Sequence, residues 1–166
     1  MDASKCLLIA LVLIICGVIF QVIGLASPYW INIDGAGTNL HQGLWKSCND
    51  FTGENVCTDL GTPPDWLKAV RAMGILGVLT LVVAALMTVL KLFVMKDKKP
   101  ILLVAIGASF AGAFFIIISI AVYAGKIKDM FPLVDFNYHF AFAFSIIGMI
   151  AAIAAGVAML VDMKQN

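Results

Sequence analysis

The chain has 166 residues, of which 62% are hydrophobic and 13% charged, and its formal net charge is +1. That composition excludes a water-soluble domain of this length, and the near-zero charge excludes the basic surface that nucleic acid requires. The charges also cluster, because no Asp, Glu, Lys or Arg lies between Lys5 and Asp34, Arg71 and Lys91, Lys99 and Lys126, or Asp135 and Asp162. Each gap holds the roughly 20 apolar residues that one spanning helix needs. Helices are required because a lipid-exposed backbone must satisfy its own polar groups, and the alternation typical of a barrel is absent. The expected fold class is an all-α membrane protein, one unit over 1–166, with spans at 7–26, 71–93, 101–124 and 140–161.

The first span competes with a cleaved signal peptide, since Gly24 and Ala26 are small and Ser27 could follow the cut. The apolar run from Cys6 to Ala26 is longer than a signal core of about 7–15 residues, and Pro28 sits close to the cut, so a span is preferred. Cys6, beside Lys5 at the membrane edge, is a candidate palmitoylation site or a free buried thiol. Orientation follows from the short connection 94–100, whose lysines Lys96, Lys98 and Lys99 hold it in the cytoplasm. Both termini are then cytoplasmic, including the short tail 162–166, and the loops 27–70 and 125–139 face outward in a plasma membrane.

The first outer loop carries most of the chemistry. Cys48 and Cys57 lie in an oxidising compartment whereas Cys6 and Cys16 belong to the first span, so only the former pair is expected to be bridged. The constraint contributes about 2–3 kcal/mol by the chain-entropy model, in a loop too small to rely on a core alone. His41 is the loop's lone histidine, which argues against a metal site, and no cofactor is implied. Residues 29–33 and 40–46 read as antiparallel strands around an Asp34–Gly37 turn, with a third short strand near 55–58. Gly61-Thr62-Pro63-Pro64 breaks the sheet, and Asp65 caps a helical turn leading to the second span.

Trp30 and Trp66 are expected as interfacial anchors, and Trp45 as a sheet-core residue packed against the disulfide and the membrane surface. Arg71, opening the second span, must snorkel to headgroups or pair with an outer acid or a backbone carbonyl. Asp50, Glu54, Asp59 and Asp65 form either a solvated acidic face or, if copies polymerise, a cation-favouring path.

Small residues at four-residue spacing mark helix seams: Gly148, Ala152 and Gly156 in the last span, and Gly107 with Ala111 and Ala108 with Gly112 in the third. In the second outer loop Met130, Phe131, Leu133 and Val134 are expected to be exposed around Pro132. With Phe51, they are candidate contacts to a partner across an intercellular gap.

The order Trp30, Gly43-Leu44-Trp45, Cys48, Cys57, Arg71, inside a four-span frame, resembles a tetraspan superfamily over essentially the whole chain. That superfamily joins claudins, peripheral myelin protein, epithelial membrane proteins, the lens fibre membrane intrinsic protein and calcium-channel gamma subunits. His41-Gln42-Gly43-Leu44-Trp45, Trp66–Met73 and Tyr138-His139-Phe140-Ala141-Phe142 look most like the lens, myelin and epithelial branches. The resemblance implies a left-handed four-helix bundle with a small extracellular antiparallel β-sheet. Trp30, Gly43, Leu44, Trp45 and Arg71 would be its structural anchors.

It also implies contact with a second copy or a related tetraspan protein, within one membrane or between two. The C-terminus Asp162-Met163-Lys164-Gln165-Asn166 lacks the hydrophobic tripeptide that claudins offer PDZ scaffolds, and the outer loops carry no Asn-x-Ser/Thr sequon. Junction or adhesion function is favoured, ahead of an auxiliary ion-channel subunit and a pore acting alone. No nucleophile–base constellation suggests an enzyme.

Overall fold

The computed structural model describes residues 3–35, 37–50 and 53–166. Four long helices, α1 (Ala3–Ala26), α2 (Asp65–Phe93), α3 (Lys99–Met130) and α4 (Phe140–Gln165), enclose the core. Between α1 and α2 run the strands β1 (Ile31–Gly35), β2 (Thr38–Gln42), β3 (Lys46–Asp50) and β4 (Asn55–Asp59), and β5 (Asn137–Tyr138) precedes α4. All four helices are long and apolar enough to cross a membrane. The chain is a multi-pass membrane protein.

The helices overrun the apolar gaps. α2 starts at Asp65 rather than Arg71, and α3 continues through Met130, so Gly125–Met130 are helix and not loop. With 32 residues, α3 extends about 48 Å, well beyond a hydrocarbon core of about 30 Å. A helix ends where its backbone loses partners, and outside the lipid Lys126, Lys128 and Asp129 are simply solvated helical residues.

Packing follows the small residues, as expected where lipid leaves little apolar drive. α1 lies mainly on α4, and α2 on α3. Where α1 crosses α4, a Cβ on Gly17 would come within 3.3 Å of the Gly148 carbonyl oxygen, and one on Gly148 within 3.1 Å of that of Gly17. Gly156 receives the ring of Phe110, and the Ser109 hydroxyl donates to the Ala152 carbonyl oxygen at 2.7 Å. The Gly148–Ala152–Gly156 stripe is thus an internal seam. Gly107 differs: it is exposed and nothing lies within 4 Å of its would-be Cβ, so it belongs to no seam within the chain.

The sheet has five strands in the order β4-β3-β2-β1-β5, all antiparallel. The expected return strand 40–46 is split. Gly43–Trp45 interrupts it, and Lys46 opens β3. The fifth strand comes from the connection between α3 and α4, pairing Tyr138 with Ile31 and Asn137 with Asn32. Gly37, with φ of +89°, makes the β1–β2 turn.

Candidate functional site

The sheet sits on one end of the bundle, and its attachment is built from side chains that reach backbone carbonyls. Trp30 is fully buried, not an interfacial anchor, and its Nε1–H donates to the Gly24 carbonyl at the end of α1, at 2.7 Å. Its ring meets Tyr123 of α3 and Phe142 of α4 edge-on, with centroids 4.7 and 5.6 Å away. The Trp30 backbone is also held on both sides, donating to Gln42 and accepting from His139. One tryptophan thereby ties α1, α3, α4 and strand β2 together. Ile127, in the overrunning part of α3, is buried in the same cluster with Leu44, Leu67 and Val70.

Trp45 lies outside that core, 38% exposed, beside the outer turns of α1 and α2 rather than as a core residue of the sheet. Its Nε1–H donates to the Leu25 carbonyl at 2.9 Å, closing off the last turn of α1. The Arg71 guanidinium stacks over its ring, Cζ 4.5 Å from the centroid, while Nε donates to the Leu44 carbonyl at 2.8 Å. A cation at the head of a span is thereby satisfied by a carbonyl and an aromatic face. Gly43 makes the crossing possible, since a Cβ there would stand 2.4 Å from the Ser27 carbonyl oxygen and 2.5 Å from Pro28 Cα. Both obstacles are backbone. No side chain fits.

Cys48 and Cys57 face each other across β3 and β4 and are bridged. His41 joins Pro28 through Nδ1 at 3.1 Å and stacks on Tyr29, whereas His139 caps α4 by accepting the Phe140 N–H. Tyr138 lies against Phe142, and partial burial pushes its phenol above the ordinary range.

A family model of the PMP-22/EMP/MP20/Claudin family matches residues 3–161. The chain belongs to that family. No curated protein matches the chain. The PMP-22/EMP/MP20/Claudin family is a non-enzymatic family of membrane proteins, and the four helices, antiparallel sheet and loop disulfide of this chain fit a claudin-like fold.

In this family member the residues singled out for recognition disperse. Leu133 is 96% exposed, and Met130 and Val134 are exposed beside it. Phe131 instead packs against the cluster around Trp30 and Ile127, so it supports the loop from beneath. Phe51 lies outside the described residues.

The four acids do not gather either. Asp50 and Glu54 flank the β3–β4 turn, Asp59 ends β4 opposite Lys46 at 4.0 Å, and Asp65 opens α2 beside Lys68 at 3.5 Å. Cys6 is a free, buried cysteine in the first turns of α1. Sequence reasoning missed Asp162, which it placed in the short tail 162–166. The helix carries on past it, and the residue is buried. The signal was present, because Asp162 follows Ala155 and Met159 at helical spacing on the inward face.

Proposed function

We propose that this chain acts in cell–cell contact, presenting its disulfide-bridged sheet outward and binding a second copy or a related tetraspan protein across the gap. Lys91, Lys96, Lys98, Lys99 and Lys164 all lie at the end away from the sheet. By the positive-inside rule that end is cytoplasmic, as are both termini. The observation that carries the proposal is Leu133: a large apolar side chain 96% exposed, with Val134 beside it, on a loop fixed by β5 and by Phe131 below. Exposed apolar residues held at a rigid tip favour a partner surface.

The test mixes cells expressing the tagged chain with untransfected neighbours. Accumulation only at contacts between two expressing cells is expected, with loss of that accumulation in a Leu133→Ser, Val134→Ser double variant that still reaches the surface. A uniform surface distribution of the unaltered chain would overturn trans contact.

A further inference from the structure

At the end of the bundle opposite the sheet lies a cavity of about 390 Å³, between the last turns of α2 and α4 and the first turns of α1 and α3. Its lining includes three cations, Lys91, Lys96 and Lys99, and two acids, Asp97 and Asp162, above apolar side chains such as Leu7 and Leu102. All four spans terminate here, so the cavity lies at headgroup depth.

Asp162 is only 1% exposed, and among the described residues neither carboxylate oxygen meets a donor in hydrogen-bonding geometry. Its neighbours do not supply one. Lys91 attracts it but turns Nζ to the Lys96 carbonyl oxygen, and the Asn166 amide, near enough to favour the charged carboxylate, makes its hydrogen bond to the Asp162 backbone carbonyl at 3.2 Å. A buried carboxylate left without donors is costly, and such a group calls for a partner from outside the chain. On the same wall α3 begins Lys99-Pro100 with no side-chain cap; Pro100 has no N–H, and the other uncapped N–H groups of the first turn favour an anionic oxygen. The cavity therefore offers two complementary poles within one volume.

We propose that this cavity binds the headgroup of an aminophospholipid, its phosphate against the lysines and the first turn of α3 and its primary ammonium on Asp162. An ammonium brings three N–H donors, which is what the two bare oxygens lack. Three cations against two acids are best complemented by a headgroup with two negative groups and one positive, as in phosphatidylserine. A choline headgroup has the positive charge but no N–H to donate.

The test is native mass spectrometry of the full chain in detergent, titrated with phosphatidylserine, phosphatidylethanolamine, phosphatidylcholine and phosphatidic acid of identical acyl chains. We expect the two primary-amine lipids to be retained about tenfold more tightly than phosphatidylcholine. Asp162→Asn should erase that preference while leaving phosphatidic acid unchanged, and Lys96→Gln, at an exposed position, should weaken every phospholipid. Equal retention of serine and choline lipids by the unaltered chain, or a preference that survives Asp162→Asn, would overturn the proposal. Should Asp162→Asn fail to fold, Lys96→Gln decides alone, with unchanged retention counting against the site. Free O-phosphoserine separates the two sources of this chemistry: failure to displace the lipid supports a membrane ligand, and displacement at equal concentration overturns it.

Discussion

The two ends of the bundle treat their charged groups in opposite ways, although a buried hydroxyl without a hydrogen bond, that of Tyr123, lies at the sheet end too. At the sheet end Trp30, Trp45, Arg71 and His41 each reach a backbone carbonyl, and a disulfide bridges the outer strands. At the lysine end a carboxylate is buried without a hydrogen bond beside an open cavity. The first arrangement fixes a shape, because satisfied buried bonds admit one geometry. The second leaves valence for something that the chain does not contain.

Substitutions sharpen this contrast, beginning with the largest. Trp30→Ala removes the ring shared by three helices and should cost about 3–5 kcal/mol, read as a fall in the thermal midpoint in detergent and as retention inside the cell. Replacing Cys48 and Cys57 together by Ser should cost about 2–3 kcal/mol and loosen the β3–β4 turn first, measurable by hydrogen exchange at β4 with β5 unaffected. Arg71→Lys keeps the charge but loses the planar stack on Trp45 and the Nε bond. A loss of about 1 kcal/mol is expected, accompanied by a shift in Trp45 fluorescence.

The lysine end should answer with the reverse sign. In lipid-free detergent, Asp162→Asn relieves an unpaired charge and should raise stability by up to about 1 kcal/mol. A drop of the size produced by Trp30→Ala would mean that Asp162 is as structural as the sheet anchors, and the contrast between the ends would fail.

Much of the frame was legible in the residues, and the misses share a cause. Charge gaps located the four apolar stretches because lipid excludes charge, but they could not locate helix ends, which depend on backbone partners. Hence the second span is expected from Arg71, with only a helical turn before it, although its helix starts at Asp65, and Gly125–Met130 read as loop although they are helix. Alternation identified strand-forming residues in the first loop. It could not show that Gly43 brings the chain against Ser27 and Pro28, and so splits one strand into two. Trp30 read as an anchor for the same reason, since nothing local reveals that Tyr123 and Phe142, far along the chain, close around it. Asp162 read as tail because a charge was taken as the end of a span.

The pairing of Ile31 with Tyr138 and of Asn32 with Asn137 makes the two loops one heritable unit. A first loop transplanted from a relative would meet a foreign β5, leaving the edge of its sheet to pair with residues it was not selected beside. Chimaeras that exchange both loops together should keep the donor's surface intact, and over evolution positions 31–32 and 137–138 should change in concert.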